Sequence, residues 1–375
     1  MIYLDHASTT PCAQEVIDEM LPFFRDSFAN ASSIDHIPGN DASRAVEKAR
    51  ESIAALVGVR ANEIIFTSGS TEANNLAVSS AHSIIITAIE HPSIRDTVIA
   101  RRNESDVTLQ VDANGLIDID ELRETLRVSS VTLVSIIATN NETGTEQQLG
   151  RISQCVKEAG SLLHFDATQT IALRSLELSK TQFDGISLSA HKINGPKGIG
   201  ALIVRNGLRR LIRPMIHGGG HERGLRSGTL NVPGIVGFGA AADLALKNGE
   251  HNREKVRAVK AEFLSILYEK LGERIQQTIT SDHASPHILS LRIEGINGRA
   301  LLGEVRQEVA FSLGAACATL KSEPSHVLLE IGLDKSQIAQ TIRLSFSPEQ
   351  TKELVRQAAE IISIAAFKLL EYSEN

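Results

Sequence analysis

The sequence predicts an α/β fold in which a large domain is built around a mainly parallel sheet and a smaller α+β domain completes the molecule. The first observation behind this prediction is a repeated alternation of short apolar runs with helical patterns up to Val204. The runs lack the polar alternation of a half-exposed strand, which is typical of parallel strands covered by helices on both faces. They read "EIIFTS", "SIIITA", "TLVSIIAT", "SLLHFDA", "GISLS" and "GALIVR". Ligands are expected at the carboxyl ends of such strands.

The second observation is a change in the residue pattern near Asn248. A long charged helical pattern begins there and is followed by the strand-like "HILSLRIEG". We therefore predict a large domain over residues 13–250. A smaller α+β domain, made of residues 1–12 and 251–375, would carry the loop around Cys317.

Composition excludes several classes of protein. With 375 residues, of which 42% are hydrophobic, the chain can bury a sizeable core. Its 38 basic and 45 acidic residues give a net charge of -7, which argues against direct binding of nucleic acid. No apolar stretch approaches the roughly 20 residues that span a bilayer, and the first residues lack the pattern of a signal peptide. The sequence therefore predicts a cytoplasmic protein that does not bind a membrane.

Cys12, Cys155 and Cys317 are too few and too scattered for a disulfide framework, so we expect reduced thiols. Cys155 lies in a helical pattern, which favours a buried structural cysteine, whereas the small residues around Cys317 are typical of an accessible loop. His217 and His221 could indicate zinc. No carboxylate or thiol completes a ligand set at a familiar spacing, so no metal site is predicted.

Two strand ends carry candidate chemistry, each with a plain alternative. In "IIFTSGSTEANN" a strand runs into the turn Ser68–Thr71 and a helix begins near Glu72, which presents free N–H groups to an anion such as a phosphate. Ordinary helix capping gives the same pattern. In "LLHFDATQ" an apolar strand ends at Asp166, whose carboxylate needs a positive or hydrogen-donating partner to stay ionised. Capping of the next turn is the alternative there.

A third segment, "SAHKINGPKG", delivers Lys192 to the end of the buried strand "GISLS". An ammonium group is costly to bury without a partner, so a lysine in this place indicates chemistry. Pyridoxal 5'-phosphate requires an amine for its aldehyde, an acid for its ring nitrogen and an anion cradle. Lys192, Asp166 and the turn Ser68–Thr71 would supply these from different strand ends of one sheet, and together they predict this cofactor.

With these segments in place, the chain resembles the pyridoxal-phosphate-dependent cysteine desulfurases of the class V aminotransferase superfamily, a resemblance that implies fold type I. It covers nearly the whole chain and rests on "YLDHASTTP", "TSGSTEANN", "EHPS", "NNETG", "HFDATQ", "SAHKINGPKG", "HGGGHERGLRSGTLNV", "GAACAT" and "IRLSFS". The form "RSGT" with the longer cysteine loop is similar to the group that includes the housekeeping and nitrogen-fixation desulfurases.

The resemblance implies roles residue by residue. Lys192 would hold the cofactor covalently, Asp166 would pair with its ring nitrogen, and His91 would stack on its ring. The other implied cofactor contacts are Ser70, Thr71, Ser189 and His191 around the phosphate, Gln169 at the ring hydroxyl, Asn141, and Thr229 at the phosphate of a neighbouring subunit. The last of these contacts implies a homodimer. The implied catalytic residues are Lys192, His91 and Cys317.

The resemblance also implies that Asn141 and Arg343 bind the carboxylate of L-cysteine and that Cys317 accepts its sulfur. Arg343 lies within the strand-like "TIRLSFS", where an unpaired guanidinium is costly and a substrate carboxylate would satisfy it. The chain departs from the family at Leu313 and Ala315, where serines are frequent. It also stops at "LLEYSEN", without the extension by which housekeeping desulfurases engage the iron–sulfur scaffold protein. These departures favour a dedicated sulfur pathway, such as nitrogenase maturation or sulfur modification of nucleic acid.

The sequence therefore predicts a homodimeric enzyme that converts L-cysteine to L-alanine and leaves a persulfide on Cys317 for a sulfur-acceptor protein, in iron–sulfur assembly or nucleic-acid sulfur modification. Another fold type I enzyme, such as a selenocysteine lyase or an aminotransferase, would share the cofactor residues and differ at Cys317. A non-catalytic binding protein that kept the fold is the alternative from another class. The intact set of Lys192, Asp166, His91 and Arg343 argues against it.

Overall fold

The computed structural model describes residues 1–173, 180–280, 282–313 and 324–374. The strands in these ranges are β1 (Ile2–Tyr3), β2 (Ile64–Thr67), β3 (Ile84–Thr87), β4 (Val107–Leu109), β5 (Leu133–Ile137), β6 (Leu162–Asp166), β7 (Gly185–Ser189), β8 (Gly200–Val204), β9 (Ile275–Gln277), β10 (Ile288–Ile293), β11 (Val309–Ala310) and β12 (Thr341–Ser345). A 7-stranded sheet has the order β2-β8-β7-β6-β5-β3-β4. Its strands pair in parallel except at β8, which is antiparallel to both neighbours.

The predicted α/β fold with a mainly parallel sheet is confirmed. Ile64 and Phe66 of β2 pack into one hydrophobic core and Ile65 into another, because successive side chains of a strand point to opposite faces of the sheet. Both faces are therefore covered. This explains why the apolar runs of the sequence show no polar alternation.

Helices make up most of the remaining regular structure. They are Gln14–Met20, Pro22–Arg25, Ile37–Val57, Ser70–Val78, Pro92–Arg101, Ile119–Val128, Leu149–Glu158, Asn206–Leu211, Val232–Leu271, Gly298–Val305, His326–Glu330, Lys335–Ala339 and Lys352–Glu374. In the helix Ile37–Val57, the His36 ring accepts from the Gly39 N–H at the start, and Gly58 ends the helix in the left-handed region at φ 72°. Within the described ranges, no helix combines the length and apolar character that a membrane crossing needs.

A second unit contains the antiparallel sheet β12-β10-β9 and the short parallel pair of β1 and β11. Its core combines Ile2 and Leu4 with apolar residues from Val256 to Ala366. The first residues of the chain thus pack with residues that follow some 300 positions later, as the pairing of Ile2 with Val309 shows.

One helix, Val232–Leu271, joins the two units and is continuous for 40 residues. Its first part packs into the core beside the large sheet, whereas Val256 and the residues after it pack into the core of the second unit. The boundary predicted between residues 250 and 251 therefore falls inside a helix and not in a linker. The division into residues 13–250 and residues 1–12 with 251–375 stays a prediction.

Candidate active site

The turns that carry the predicted cofactor residues meet at one edge of the large sheet. The carboxyl ends of β3, β5, β6 and β7 lie there because these strands are parallel, and β2 ends there because it runs against β8. Gly200, at the start of β8, pairs with both Thr67 and Ser189, which places the turn after β2 beside the turn after β7. A Cβ atom on Gly200 would lie 2.7 Å from the Cα atom of Gly69, so this close approach requires glycine.

Lys192 ends the 3-10 turn Ala190–Lys192, directly after β7. Its Nζ atom donates hydrogen bonds to the Ala7 carbonyl oxygen and, at 2.7 Å, to the Ser8 carbonyl oxygen. Burial and the nearby Arg343 lower the pKa of Lys192 to about 8, although neighbouring carboxylates act in the opposite direction. Near this pH a large fraction of the amine is neutral, and the neutral form is the one that attacks an aldehyde.

Asp166 ends β6 and is 4% exposed. Its Oδ1 atom accepts from the Thr168 N–H at 3.0 Å, and its Oδ2 atom accepts from the Asn74 amide at 2.8 Å. Asn74 is fully buried and was not predicted as a site residue. Its place four residues after Ser70, on the same face of the helix, is the signal that would have found it. These two donors hold the carboxylate at the sheet edge.

His91 follows β3 and caps the helix Pro92–Arg101. Its Nδ1 atom accepts from the Ser93 N–H at 3.1 Å and lies 2.7 Å from the Ser93 hydroxyl oxygen. Burial lowers the pKa of His91, while Asp166 opposes the shift. The ring is therefore neutral near pH 7, and because Nδ1 is an acceptor its hydrogen lies on Nε2. Its stacking on a cofactor ring stays a prediction.

The residues predicted to hold a phosphate lie close together along the sheet edge. Ser70 and Thr71 begin the first helix after β2, and Ser189 is buried at the end of β7. His191 Nδ1 lies 3.1 Å from the Thr9 hydroxyl oxygen, and burial with neighbouring lysines lowers the pKa of His191 to about 4. The start of the helix supplies main-chain N–H groups that lack helical partners, which suits an anion. The individual contacts to a phosphate stay predictions.

Gln169, in the turn after β6, faces the first residues of the chain. Its Nε2 atom donates to the Ala7 carbonyl oxygen at 2.8 Å, and its Oε1 atom lies 3.4 Å from Nε2 of His287. The Ala7 carbonyl oxygen thus accepts from both Gln169 and Lys192. The segment around Ala7 therefore forms one wall of the site, which the sequence did not indicate.

Arg343 on β12 brings the second unit to the site and is 7% exposed. Its NH2 atom donates to Asp5 Oδ1 at 2.8 Å, and its NH1 atom donates to the Asn141 carbonyl oxygen at 2.9 Å. The sequence had indicated only the substrate carboxylate as a partner for Arg343. The structure shows that Asp5 of the same chain also supplies one. The Nε atom of Arg343 is buried and has no hydrogen-bond partner among the described residues. The buried Nε–H group of the guanidinium is thus left for a further acceptor.

Thr229 is exposed, at the end of the glycine-rich segment 217–229. This segment contacts the anion cradle of its own chain, which is the turn Ser68–Thr71 with the start of the helix that follows it. Arg226 Nε donates to Glu72 Oε1 of that helix at 3.0 Å. The Glu72 Oε2 atom in turn accepts from the Ser68 N–H at 2.8 Å. An exposed Thr229 has room for a contact with a second subunit, and that contact stays a prediction.

Cys317, the predicted sulfur acceptor, lies outside the described residues, as does Ala315. Of the described cysteines, Cys12 is half-buried and Cys155 is buried. Burial raises the pKa of both thiols, which makes them poorer nucleophiles at neutral pH. In the part of the chain that the structure describes, no group of three or more histidine, cysteine, aspartate or glutamate side chains could hold a metal ion.

These side chains fit pyridoxal 5'-phosphate. An amine with a lowered pKa, a buried carboxylate held by two donors and a helix start with free N–H groups lie along a single sheet edge. They correspond to the three chemical needs of the cofactor: a nucleophile for its aldehyde, an acid partner for its ring nitrogen and a cradle for its phosphate.

Comparisons with known proteins agree with this fit. The model of the aminotransferase class-V family matches residues 2–357. A cysteine desulfurase IscS from Anaeromyxobacter sp. (strain Fw109-5) is 39% identical over 382 residues, which cover 99% of this chain and 94% of that relative. A solved NifS-like protein is 33% identical with a TM-score of 0.87, covering 98% of this chain and 99% of the other. A structure of SspA in complex with cysteine is 32% identical with a TM-score of 0.80, covering 94% of this chain and 100% of the other.

The similarity extends over nearly the full length of both the sequence and the fold, so the predicted fold type I is confirmed. Homologues at this level of identity that share the class-V architecture depend on pyridoxal 5'-phosphate. The chain therefore belongs to the aminotransferase class-V family and, within it, to the pyridoxal-phosphate-dependent cysteine desulfurases.

Proposed function

We propose that this enzyme acts as a cytoplasmic homodimer, takes the sulfur of L-cysteine as a persulfide on Cys317, releases L-alanine and passes the sulfur to an acceptor protein. The observation that carries the proposal is the half-buried Lys192 amine, whose pKa is lowered to about 8, at the same site as Asp166 and Arg343. A relative of similar length solved in complex with cysteine supports the choice of substrate.

The substrate carboxylate is proposed to meet Arg343. Its guanidinium is nearly buried, and its Nε atom has no partner in the described part of the chain. Asp5 and the Asn141 carbonyl already hold the other two nitrogens, so the plane of the guanidinium is fixed before substrate arrives. A planar, fixed cation is well suited to orient a carboxylate.

The bound cofactor supplies a conjugated ring that accepts electrons when the bond between the substrate α-carbon and its hydrogen breaks. Lys192 is proposed to take that proton on Nζ, because its lowered pKa leaves a neutral amine available near pH 8. Asp166, held by Asn74 and Thr168, would keep a positive charge on the ring nitrogen. The lysine would thus move the substrate proton, whereas the aspartate would keep the proton on the ring nitrogen in place.

The sulfur transfer is proposed to occur between two sulfur atoms. The Cys317 thiolate attacks the substrate sulfur and a sulfur–sulfur bond forms. The carbon–sulfur bond breaks with its electron pair staying on the carbon, which then takes up a proton and becomes the alanine methyl group. Only the thiolate is nucleophilic. His91 carries its hydrogen on Nε2, since Nδ1 accepts from Ser93, and this N–H could stabilise the thiolate by donating to it.

The decisive experiment follows the sulfur. The purified holoenzyme is given L-cysteine without reductant, and its peptides are analysed by mass spectrometry while alanine is quantified. We expect one added sulfur on Cys317, no alanine from the Cys317→Ala variant, and near-normal alanine from Cys12→Ala and Cys155→Ala. An added sulfur on Cys12 or Cys155 with Cys317 unmodified would refute the assignment. An amino-group transfer to a keto acid would favour an aminotransferase.

The dimer is proposed from the exposure of Thr229 and the link between its segment and the anion cradle through Arg226 and Glu72. If Thr229 completes the partner's phosphate site, mixing Lys192→Ala subunits with Thr229→Ala subunits should restore part of the activity in hybrid dimers. Each homodimer alone must be inactive for the test to apply. No recovery under proven subunit exchange would contradict a shared site.

The sulfur is proposed to leave through a protein acceptor in iron–sulfur assembly, nitrogenase maturation or nucleic-acid sulfur modification. Direct contact with nucleic acid is not proposed, because the chain has a net charge of -7. Co-purification followed by transfer of labelled sulfur from the Cys317 persulfide would identify the acceptor. An acceptor that takes sulfide from solution equally well would contradict direct transfer.

A further inference from the structure

His287 is a buried histidine beside the site that has no part in the proposed reaction. It precedes β10 in the second unit and is 5% exposed. Its Nδ1 atom lies 2.8 Å from the Ser285 hydroxyl oxygen, and its Nε2 atom lies 3.4 Å from Gln169 Oε1. A buried ring whose two nitrogens both meet polar side chains forms part of a hydrogen-bond network, and such networks specify a single arrangement of their members.

The direction of the hydrogen bonds follows from one fixed acceptor. The Ala7 carbonyl oxygen can only accept, so the Gln169 atom that lies 2.8 Å from it is the amide nitrogen. Gln169 Oε1 then faces His287, which must carry a hydrogen on Nε2. A neutral ring has only that hydrogen, so Nδ1 accepts from the Ser285 hydroxyl. The donors therefore run from Ser285 through His287 and Gln169 to Ala7.

The charges that face His287 favour this neutral form. Burial has the largest effect, and the cations Lys260, Arg253 and Lys192 together with His6 add to it, so that the pKa of His287 falls to about 3. Lys260 also donates to two main-chain oxygens on either side of the histidine, each at 2.9 Å. The ring therefore sits in a cationic surrounding that would be unfavourable for a second proton.

We propose that His287 is a positioning residue that sets the orientation of the Gln169 amide at the cofactor site. Of the two hydrogens on Gln169 Nε2, one is used by the Ala7 carbonyl oxygen, which Lys192 shares. The other has no hydrogen-bond partner among the described residues and is proposed to face the cofactor. A flipped amide would set Oε1 against the Ala7 oxygen and would offer the cofactor an acceptor in place of a donor. The inference rests on the proposed function only for the contact between Gln169 and the ring hydroxyl.

The first test measures the tautomer of His287 in the cofactor-free protein, so its result is independent of desulfurase activity. The side chains of the 12 histidines are labelled with nitrogen-15 and their NMR signals are recorded. The His287 signals are the ones that disappear in His287→Phe. We expect a single tautomer with its hydrogen on Nε2, still neutral at about pH 5, below the ordinary pKa of histidine. A hydrogen on Nδ1 in the neutral ring, or an imidazolium at that pH, would overturn the inference.

The second test uses the holoenzyme and the pH dependence of the cofactor's absorbance. His287→Phe removes the donor to Gln169 Oε1. We expect the spectral midpoint, which is the pH at which the absorbance change of the cofactor is half complete, to rise. We also expect kcat to fall by about tenfold, the effect of one lost hydrogen bond, while KM changes less. His287→Gln, whose amide can donate, should restore most of kcat, and the exposed His251→Phe should match wild type. An unchanged midpoint and kcat in His287→Phe would overturn the inference.

Ser285→Ala removes only a hydroxyl and serves if His287→Phe does not fold. Without a donor at Nδ1, the ring should populate both tautomers, and the spectral midpoint should shift in the same direction by a smaller amount. A fixed tautomer and an unshifted midpoint in Ser285→Ala would contradict the directional network. An inactive wild-type enzyme that nevertheless has its hydrogen on Nε2 of His287 would refute the proposed function and leave the positioning inference intact.

Discussion

The two sides of the site are assembled in different ways. At the edge of the large sheet, Lys192, Asp166 and His91 each end a strand or follow one within a few residues, so the parallel strands bring them together directly. On the other side, Asp5 and Arg343 meet although 338 positions separate them in the sequence. One side depends on a single sheet, and the other depends on the closure of the whole chain.

The two sides also balance their charges differently. Lys192 donates to main-chain carbonyl oxygens, and Asp166 accepts from neutral amide groups, so neither has a salt-bridge partner in the described ranges. Arg343 and Asp5 instead form an ion pair whose side chains are 8% and 17% exposed. The groups proposed to react with the cofactor therefore have no ion-pair partner in the described ranges, whereas the charge proposed to bind the substrate is compensated within the chain.

The largest effect is expected at the sheet edge, from Lys192→Ala. Turnover should fall by at least about a thousandfold, because the amine that is proposed to react with the cofactor and to move the proton is lost. Circular dichroism should be unchanged, since Lys192 follows β7 and contributes no side chain to its core. Lys197→Ala, an exposed lysine of the same segment, is the control and should keep its turnover. Wild-type turnover in Lys192→Ala would refute the assignment.

The other side of the comparison is tested with Asp5→Asn. The variant leaves the Arg343 guanidinium without its carboxylate, and stability should fall by about 2 kcal/mol, less than for a fully buried pair because Asp5 is 17% exposed. KM for L-cysteine should rise, since the orientation of the guanidinium is lost. Urea denaturation and steady-state kinetics measure both effects. Glu304→Gln, which breaks an exposed ion pair with Lys368, is the control and should change little.

A double variant sharpens the same test. Asp5→Asn combined with Arg343→Gln removes both charges, so part of the lost stability should return while binding of L-cysteine stays weak. If the two losses of stability simply add, the pair does not act as a unit. That result would show that the Arg343 charge is not compensated by Asp5.

Glu90 gives a pH-dependent test of the sheet edge. It is completely buried, its Oε1 atom accepts from the Thr87 hydroxyl at 2.7 Å and the Ile137 N–H at 2.9 Å, and its Oε2 atom has no hydrogen-bond partner in the described ranges. Burial raises the pKa of Glu90 from 4.5 to about 8. Because the folded value is the higher one, the stability that this carboxyl contributes is complete below pH 4.5 and is lost as the pH rises through about 8.

We therefore expect the free energy of unfolding of the wild type to fall, relative to Glu90→Gln, by up to about 1.4 kcal/mol per pH unit within that window. Urea denaturation at a series of pH values measures the difference. Glu360→Gln, an exposed carboxyl on the helix Lys352–Glu374, should keep the wild-type slope. Parallel pH profiles for wild type and Glu90→Gln would show that Glu90 is ionised in the folded protein.

The smallest effect is expected from Asn74→Ala. The variant removes a donor to Asp166 and to the Ser93 hydroxyl, but it also removes the Asn74 Oδ1 atom, which is buried without a hydrogen-bond partner in the described ranges. The two changes partly cancel, so the stability of the cofactor-free protein should fall by only about 1 kcal/mol. The dissociation constant for pyridoxal 5'-phosphate should rise several-fold. Asn75→Ala loses a bond to the Ser93 carbonyl oxygen instead, and an equal rise there would contradict a specific role for Asn74.

Sequence patterns predicted the side of the site that depends on strand ends. Lys192 and Asp166 could be placed because a continuous apolar run followed by a charged residue identifies the end of a buried strand. Asp5 and His287 could not be placed in this way. Each acts through a partner distant in sequence, and spacing along a chain does not reveal which distant segments come into contact.

The domain boundary shows a second limit of sequence patterns. The change of composition near Asn248 records that the helix becomes more exposed, but the helix Val232–Leu271 continues through it because main-chain hydrogen bonds do not depend on side-chain polarity. The short strands β1 and β11 were also missed. A pair of two-residue strands has too few side chains to show a period.

The pairing of the first strand with β11 imposes an order on synthesis. The large sheet is complete once Val204 has emerged, whereas Asp5 must wait for Arg343, 338 residues later. At about 5–20 residues per second, that wait lasts on the order of tens of seconds. After Val204 has emerged and before Arg343 does, the nascent chain contains Lys192 and the turn Ser68–Thr71 but lacks the guanidinium that is proposed to receive the substrate. Translation therefore makes the residues of the cofactor side available first and the residue proposed to bind the substrate last.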